Sequence, residues 1–260
     1  MALAECGTHA FVAAEVDAYQ VGEKTLAARL YPRLRADELL TADRGFYSWP
    51  GWDSASATGA ALLWRAPTQL QLPLVRVLAD GTYLTVLTKP TIRGPRQERL
   101  PGAARDGADL ADIHAVPEAF DERGRPVVHL ARVIEYDVPD RVGSGTGELI
   151  VLLSTILDPG DARADELAAA YPQRWEEETA NDQLKTHLRG PGRVLRSRLP
   201  DLVHQEIWAY LIVHHAISAL VAHASAAADP DPDSISFAKA LRLIRRTATG
   251  TADIPPSGLG

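Results

Sequence analysis

The sequence predicts an α/β protein in which strands and helices alternate first and only helices follow. Three observations lead to this prediction. Residues 1–157 carry short apolar runs of strand length, separated by turn signals and by stretches of helical spacing. Residues 161–247 show helical periodicity instead, broken at Gly190-Pro191-Gly192. With 260 residues and 46% apolar side chains, the chain can bury a sizeable core.

In the first half, the strand predictions follow from apolar runs that end at turn residues. Asp43-Arg44-Gly45 ends one such run, and Asp80-Gly81 between two others is a strong hairpin signal. The predicted strands are 3–5, 9–16, 39–42, 61–65, 74–78 and 83–87, and the predicted helices are 22–34 and 51–58.

In the second half, residues 89–125 carry Pro, Gly and charges with few apolar pairs, which predicts a surface insertion or a long loop. The glycine-rich segment 143–147 lacks the Gly-Lys-Ser/Thr ending of a phosphate loop and leads into a strand, which favours a hairpin turn. The predicted strands are 127–137 and 148–157, and the predicted helices are 161–188, 201–228 and 236–247.

The charge distribution leaves the type of partner open. A net charge of −7 argues mildly against nucleic acid, but two local clusters are basic. Each cluster can be a solvated face or a set of phosphate contacts. The first consists of Lys185, Arg189, Arg193, Arg196 and Arg198, and the second of Lys239, Arg242, Arg245 and Arg246.

The chain is expected to be a cytoplasmic protein. Its only cysteine, Cys6, excludes an internal disulfide framework and fits a reducing compartment. No basic region precedes an apolar run at the start, so a signal peptide is not expected. Apolar stretches such as 207–213 are too short to cross a bilayer, and no membrane partner is expected.

Four polar residues of the predicted helix 161–188 carry the functional argument. Tyr171, Arg174, Glu178 and Lys185 stand at i, i+3, i+7 and i+14, which on a regular α-helix brings them within about 60° of one another. A carboxylate between cations suits a site in which the carboxylate binds Mg²⁺ and the cations bind phosphates. From spacing alone, a surface ion pair between Arg174 and Glu178 is the favoured explanation of the pattern.

The pattern Tyr-x2-Arg-x3-Glu-x6-Lys resembles the signature of a large group of insertion-sequence transposases of the DDE class. All four positions and their spacings match. Residues 39–46 resemble the segment in which that group carries its second catalytic aspartate, here Asp43. A turn or helix-capping role is the alternative for Asp43.

The resemblance implies a ribonuclease H-like catalytic core, a mixed five-stranded sheet with helices, interrupted by a β-rich insertion. It implies catalytic and metal-binding roles for Asp43 and Glu178, with Mg²⁺ or Mn²⁺ as cofactor. Tyr171, Arg174 and Lys185 would bind DNA at transposon ends or targets, and a homodimer in a synaptic complex is expected. The implied division is core with the second acidic residue at 1–65, insertion at 66–147, core strand and C-terminal helices with the third acidic residue at 148–250, and a disordered tail at 251–260.

The sequence departs from the family where the first catalytic aspartate is expected. Asp80-Gly81-Thr82 has a superficially suitable pattern, but it follows Asp43 in the chain, against the family order. We therefore expect that the first core strand is missing and that metal binding and catalysis are impaired. Two alternatives stay open: a catalytically dead remnant that acts as a DNA-binding or inhibitory protein, and an unrelated α/β nuclease or interaction domain.

Histidine and tryptophan residues were considered as further sites. His204, His214, His215 and His223 share a predicted helix without a metal-binding spacing, so packing roles are expected. Trp175 and Trp208 stand among aliphatic residues at helical spacing and are expected in the core.

Overall fold

The computed structural model describes residues 1–106, 119–138, 147–192, 194–228 and 235–250. The chain divides into two compact units. Asp17–Pro172 forms what we call the sheet unit, and Met1–Val16 with Gln173–Gly260 forms the helical unit. The predicted turn at 143–146 and the predicted tail at 251–260 lie outside the described residues.

A six-stranded mixed sheet is the centre of the sheet unit. Its order is β3-β4-β8-β7-β6-β5, in which β3 and β4 are parallel and the other neighbours are antiparallel. A mixed sheet with helices is compatible with the ribonuclease H-like expectation, although six strands are present where five were expected. The strands are β3 (Leu39–Ala42), β4 (Ala61–Arg65), β5 (Leu74–Val77), β6 (Tyr83–Thr88), β7 (Val128–Val138) and β8 (Glu148–Ser154).

Helices pack against this sheet through buried apolar side chains. Leu62, Leu63 and Trp64 of β4 are fully buried, as expected of a strand with both faces covered. The ring of Trp64 meets that of Trp52 edge to face at 5.4 Å. The helices of this unit are α1 (Glu23–Leu30), the 3-10 helix Tyr31–Arg33, α2 (Trp49–Ser56), α3 (Pro95–Asp106) and α4 (Ala164–Ala170).

The loop prediction for residues 89–125 is wrong over α3. Leu100 and Ala104, four residues apart, are buried in a cluster with Leu84, Val86 and Val128. These two residues form a narrow apolar stripe that packs on the sheet. The charged residues around them, together with Pro101, hide this stripe in the sequence.

The hairpin predicted at Asp80-Gly81 is confirmed between β5 and β6. Gly81 has a φ of +83°, a conformation that glycine adopts without strain. Arg132 on β7 is completely buried and pairs with Asp80. Its guanidinium also donates to Oγ1 of Thr82 at 2.9 Å and to the carbonyl of Ala162 at 2.6 Å. Asp80 is thus the ionic partner of a buried arginine.

In the helical unit, an antiparallel strand pair accompanies a series of helices. The predicted turn around Cys6 is present between the two strands. Ile217, Phe237 and Leu241 form the centre of the unit's apolar cluster. The elements are β1 (Ala2–Ala4), β2 (Phe11–Ala14), α5 (Glu176–Asp182), the π-helix Gln183–Leu188, α6 (Pro200–Ala228) and α7 (Phe237–Ala248).

The prediction of a single regular α-helix at 161–188 is wrong. The chain is helical almost throughout, but α4 passes into the 3-10 helix Tyr171–Trp175, then α5, then the π-helix. Turns of these three kinds differ in residues per turn, so the angles of a regular α-helix do not apply to the signature residues.

α6 is notable for its apolar composition. Among the described residues, Pro200–Ala227 is the one helix long and apolar enough, by length and composition, to cross a membrane. Only 22% of its most apolar window is buried. Trp208 on this helix is 42% exposed and Trp175 is 52% exposed, so the prediction that both lie in the core is wrong. The expected absence of a membrane partner stays a prediction.

Candidate active site

Asp43 lies directly after β3, as the sequence predicts. β3 ends at Ala42, which pairs with Trp64 on the parallel neighbour β4. The chain then turns, and the amide of Phe46 donates to the carbonyl of Asp43 at 2.9 Å. The half-buried carboxylate therefore stands at the carboxyl end of a parallel strand, a common location for ligand-binding groups in α/β proteins.

Tyr171 contacts Asp43 within the sheet unit. The phenolic hydroxyl donates to Oδ1 of Asp43 at 3.3 Å. The ring itself is 4% exposed and packs in a cluster with Leu63, Ile134 and Leu167. The tyrosine is thus anchored in the core and has its polar end at the carboxylate, so it can orient Asp43.

Arg174, Glu178 and Lys185 belong to the helical unit. The guanidinium of Arg174 lies over the ring of Trp175, 4.5 Å from its centroid. Glu178 in the first turn of α5 and Lys185 in the π-helix are both exposed. Their side chains are therefore accessible to solvent ions and to a polyanion.

A polar chain that sequence reasoning missed holds the two ends of α5. Nε2 of His9 lies 2.7 Å from Oε2 of Glu176, at the start of α5. Nδ1 of His9 lies 3.1 Å from Nε2 of Gln183, and Oε1 of Gln183 lies 3.2 Å from Nε2 of His214. If the amide nitrogen of Gln183 donates to His9, then Nε2 of His214 must donate to the amide oxygen.

His214 is completely buried in this chain of contacts. Its ring stacks near those of Phe11 and Phe237, with centroids 4.8 and 5.0 Å away. Burial, together with the charges of His9 and His215, lowers the pKa of His214 to about 4. His214 is therefore neutral at pH 7 and has a packing role, as expected from the sequence. Its contacts join positions 9, 183 and 214, and no local spacing signals such an arrangement.

Carboxylates and histidines are side chains that could bind a metal ion in this chain. Over the residues that the structure describes, no group of three or more His, Cys, Asp or Glu side chains is arranged to hold a metal ion. Asp43 and Glu178 are carboxylates of the type that Mg²⁺ prefers. Asp43 belongs to the sheet unit and Glu178 to the helical unit.

The chain is similar to a curated protein, the transposase InsG for insertion sequence element IS4 of Escherichia coli strain K12. The two are 23% identical over 246 residues, which cover 93% of this chain and 48% of the relative. This similarity indicates that the chain is related to transposases. The chain spans about half the length of the transposase that it matches. No protein-family model matches the chain.

The similarity extends across both compact units, because the matched residues cover nearly the whole chain. It therefore supports a transposase origin for the strand that carries Asp43 and for the helix that carries Glu178 alike. The specific four-residue signature and the roles of the individual residues remain predictions.

Proposed function

We propose that the chain is a catalytic-core fragment of a DDE transposase that acts on DNA. The observation that carries the proposal is the similarity to the IS4 transposase over 93% of the chain. Two local features support it: a half-buried carboxylate at the end of a parallel strand, and a complete four-residue signature along the following helices. DNA transposition by phosphoryl transfer at element ends is the reaction that these features fit best.

In this proposal, Asp43 and Glu178 are the metal-binding carboxylates. Bound Mg²⁺ or Mn²⁺ would activate a water or a DNA 3′-hydroxyl as the nucleophile and would stabilise the leaving oxygen of an in-line displacement. Tyr171 orients the carboxylate of Asp43 through its hydroxyl. Arg174 and Lys185 bind the phosphates of that strand as permanent cations.

We further propose that the metal site is incomplete in this chain. DDE chemistry uses three carboxylates. The signature and the segment 39–46 account for two of them, Glu178 and Asp43. A third carboxylate would come from a strand paired with β3, whose outer edge has no strand neighbour among the described residues. Without it, turnover is expected to be very weak, and a protein that only binds DNA or other transposase subunits is the alternative outcome.

Cleavage of a supercoiled plasmid that carries the DNA flanking the coding sequence tests the proposal. With Mn²⁺ or Mg²⁺ we expect slow nicking that Asp43→Asn and Glu178→Gln each abolish. The control is Asp37→Asn, which changes an exposed carboxylate of the sheet unit and should leave nicking unchanged. Rapid turnover with Mg²⁺ would contradict the incomplete site. DNA binding without any metal-dependent nicking would support the remnant, and nicking that survives both substitutions would overturn the active-site assignment.

A further inference from the structure

The exposed face of α7 carries three basic residues on one side of the helix. Lys239, Arg242 and Arg246 lie within about 60° of one another around the helix axis, and all three are exposed. They extend over about 10 Å along the axis, at 1.5 Å per residue. The segment 235–250 contains no acidic residue. We call this set of three residues the basic stripe.

The opposite face of α7 is occupied by the core of the helical unit. Phe237 and Leu241 are 6% and 5% exposed, and they pack with Ile217, Leu188 and Ile244. Because its apolar face is already buried, α7 cannot insert that face into a lipid surface as interfacial helices do. This argues against a membrane as the partner of the basic stripe.

The π-helix adds further cations beside α7. Arg245 donates from its guanidinium to the carbonyl of Leu188 at 3.1 Å, which ties the end of α7 to the end of the π-helix. Lys185 and Arg189 belong to this part of the unit, where residues 183–200 contain no acidic side chain. The end of α7 and the end of the π-helix are therefore in contact, and both segments carry basic residues.

Helix stability does not explain the whole stripe. Arg245 and Arg246 in the last turn interact favourably with the helix dipole, but Lys239 lies in the first turn, where a cation is unfavourable. Lys239 is unfavourable to its own helix, and neither Lys239 nor Arg242 has an ion-pair partner among the described residues, which suits an anionic partner.

We propose that the basic stripe binds the phosphate backbone of double-stranded nucleic acid, outside the signature residues and without reading the base sequence. The inference rests on the proposed function for the choice of DNA. Duplex rather than single-stranded DNA is favoured because α7 presents no exposed aromatic ring on which a base could stack; its one aromatic residue, Phe237, is buried. The cations instead suit contacts with phosphates. Such contacts set the register and the affinity of binding but do not read the base sequence.

The test measures binding of the full chain to a fluorescent 30-base-pair duplex of arbitrary sequence across a salt series. The variant is Lys239→Gln/Arg242→Gln, since glutamine keeps helix propensity. The matched control, Arg33→Gln/Arg76→Gln, removes two exposed cations from the sheet unit. At 100 mM salt we expect about tenfold weaker binding for the stripe variant, with a salt slope smaller by about 1.8, as for two lost phosphate contacts.

If the stripe variant and the control lose duplex affinity equally, the effect comes from net charge and the inference is overturned. The inference is also overturned if neither variant loses affinity. Stripe-dependent binding to phosphatidylserine vesicles in place of the duplex would identify a membrane partner and overturn it too. Failure of the proposed function is separable. Nicking by Asp43→Asn tests the proposed function alone, whereas duplex binding by the stripe variant, measured without divalent metal, tests the stripe alone.

Discussion

The hydroxyl of Tyr171 donates a hydrogen bond to Oδ1 of Asp43, joining residues 128 positions apart in the chain. The bond links the end of β3 to the 3-10 helix that begins the signature. Because the ring of Tyr171 is fixed in the core, the bond restricts the orientation of the carboxylate that we propose as a metal ligand.

Tyr171→Phe should keep the packing of the ring and remove this bond. We expect the free energy of unfolding to fall by about 0.5–1.5 kcal/mol, the usual net value of one hydrogen bond. Urea unfolding measures this change. In an Asp43→Ala background the same substitution should cost much less, and an unchanged cost there would mean that the hydroxyl has another partner. Tyr171→Ala should cost about 3–5 kcal/mol because it empties a buried site.

Asp80→Asn should destabilise the sheet unit strongly. It leaves the completely buried guanidinium of Arg132 without its anionic partner, a change that typically costs about 3–5 kcal/mol. Asp37→Asn is the control, since it breaks an ion pair with Arg35 in which both side chains are exposed and should cost about 0–1 kcal/mol. Comparable losses from the two substitutions, measured by thermal or urea unfolding, would contradict a buried pair.

The same pair gives a pH dependence at the acid end. Burial favours the neutral form of Asp80, but hydrogen bonds from Thr82 and the charge of Arg132 outweigh it and hold the pKa below its ordinary value. A carboxylate whose pKa is lowered on folding stabilises the folded state at pH values above its unfolded pKa of about 3.9. This stabilisation is lost as the pH falls through the pKa of the folded state. Wild type should thus lose stability below about pH 4 more steeply than Asp80→Asn.

His214 should make stability depend on pH in a higher range. Its pKa of about 4 in the folded chain lies below the value near 6.5 of an unfolded histidine. Between these values only the unfolded chain takes up the proton, so stability falls as pH drops from about 6.5 to about 4, by at most about 1.4 kcal/mol per pH unit. Urea unfolding of His214→Gln should lack this slope. The exposed His204→Gln should retain it, and a slope unaffected by His214→Gln would assign it elsewhere.

Two glycine substitutions should change stability in opposite directions. Gly59 has a φ of +83°, and an added Cβ would lie 3.3 Å from Cβ of Ala36, so Gly59→Ala should cost about 1–2 kcal/mol. Gly102 within α3 has open space at the same position, so Gly102→Ala should add about 0.5–1 kcal/mol through helix propensity. Melting temperatures of the two variants provide the measurement. Destabilisation by Gly102→Ala would argue against the helix.

Local patterns predicted much of the sheet unit. β3 and β4 coincide with the predicted strands at 39–42 and 61–65, because apolar runs bounded by turn residues mark strands directly. Asp43 was placed at the end of its strand for the same reason. α3 was missed because its two buried residues, Leu100 and Ala104, are outnumbered by polar neighbours, and only tertiary packing on β5 and β6 makes them a stripe.

The contacts around the signature could not be predicted from local patterns. The switch from α to π geometry at Gln183 accompanies contacts with His9 and His214, which come from distant parts of the chain. Periodicity assumes one helical geometry throughout and cannot register such a change. The exposure of Trp175 was missed for a related reason, since an aromatic residue at helical spacing is normally buried, whereas this one carries the guanidinium of Arg174.

The strand order of the sheet unit has a consequence for the rate at which it forms. β4 pairs with β8 through Leu63 and Ser154, and β6 meets β7 through Thr88 and Val128, so the central ladders close long loops. Loop-closure entropy must be overcome before these pairings stabilise one another. Refolding after dilution from denaturant should therefore be slow for a domain of this size. If the contact between Asp80 and Arg132 forms in the transition state, replacing either residue should slow refolding further.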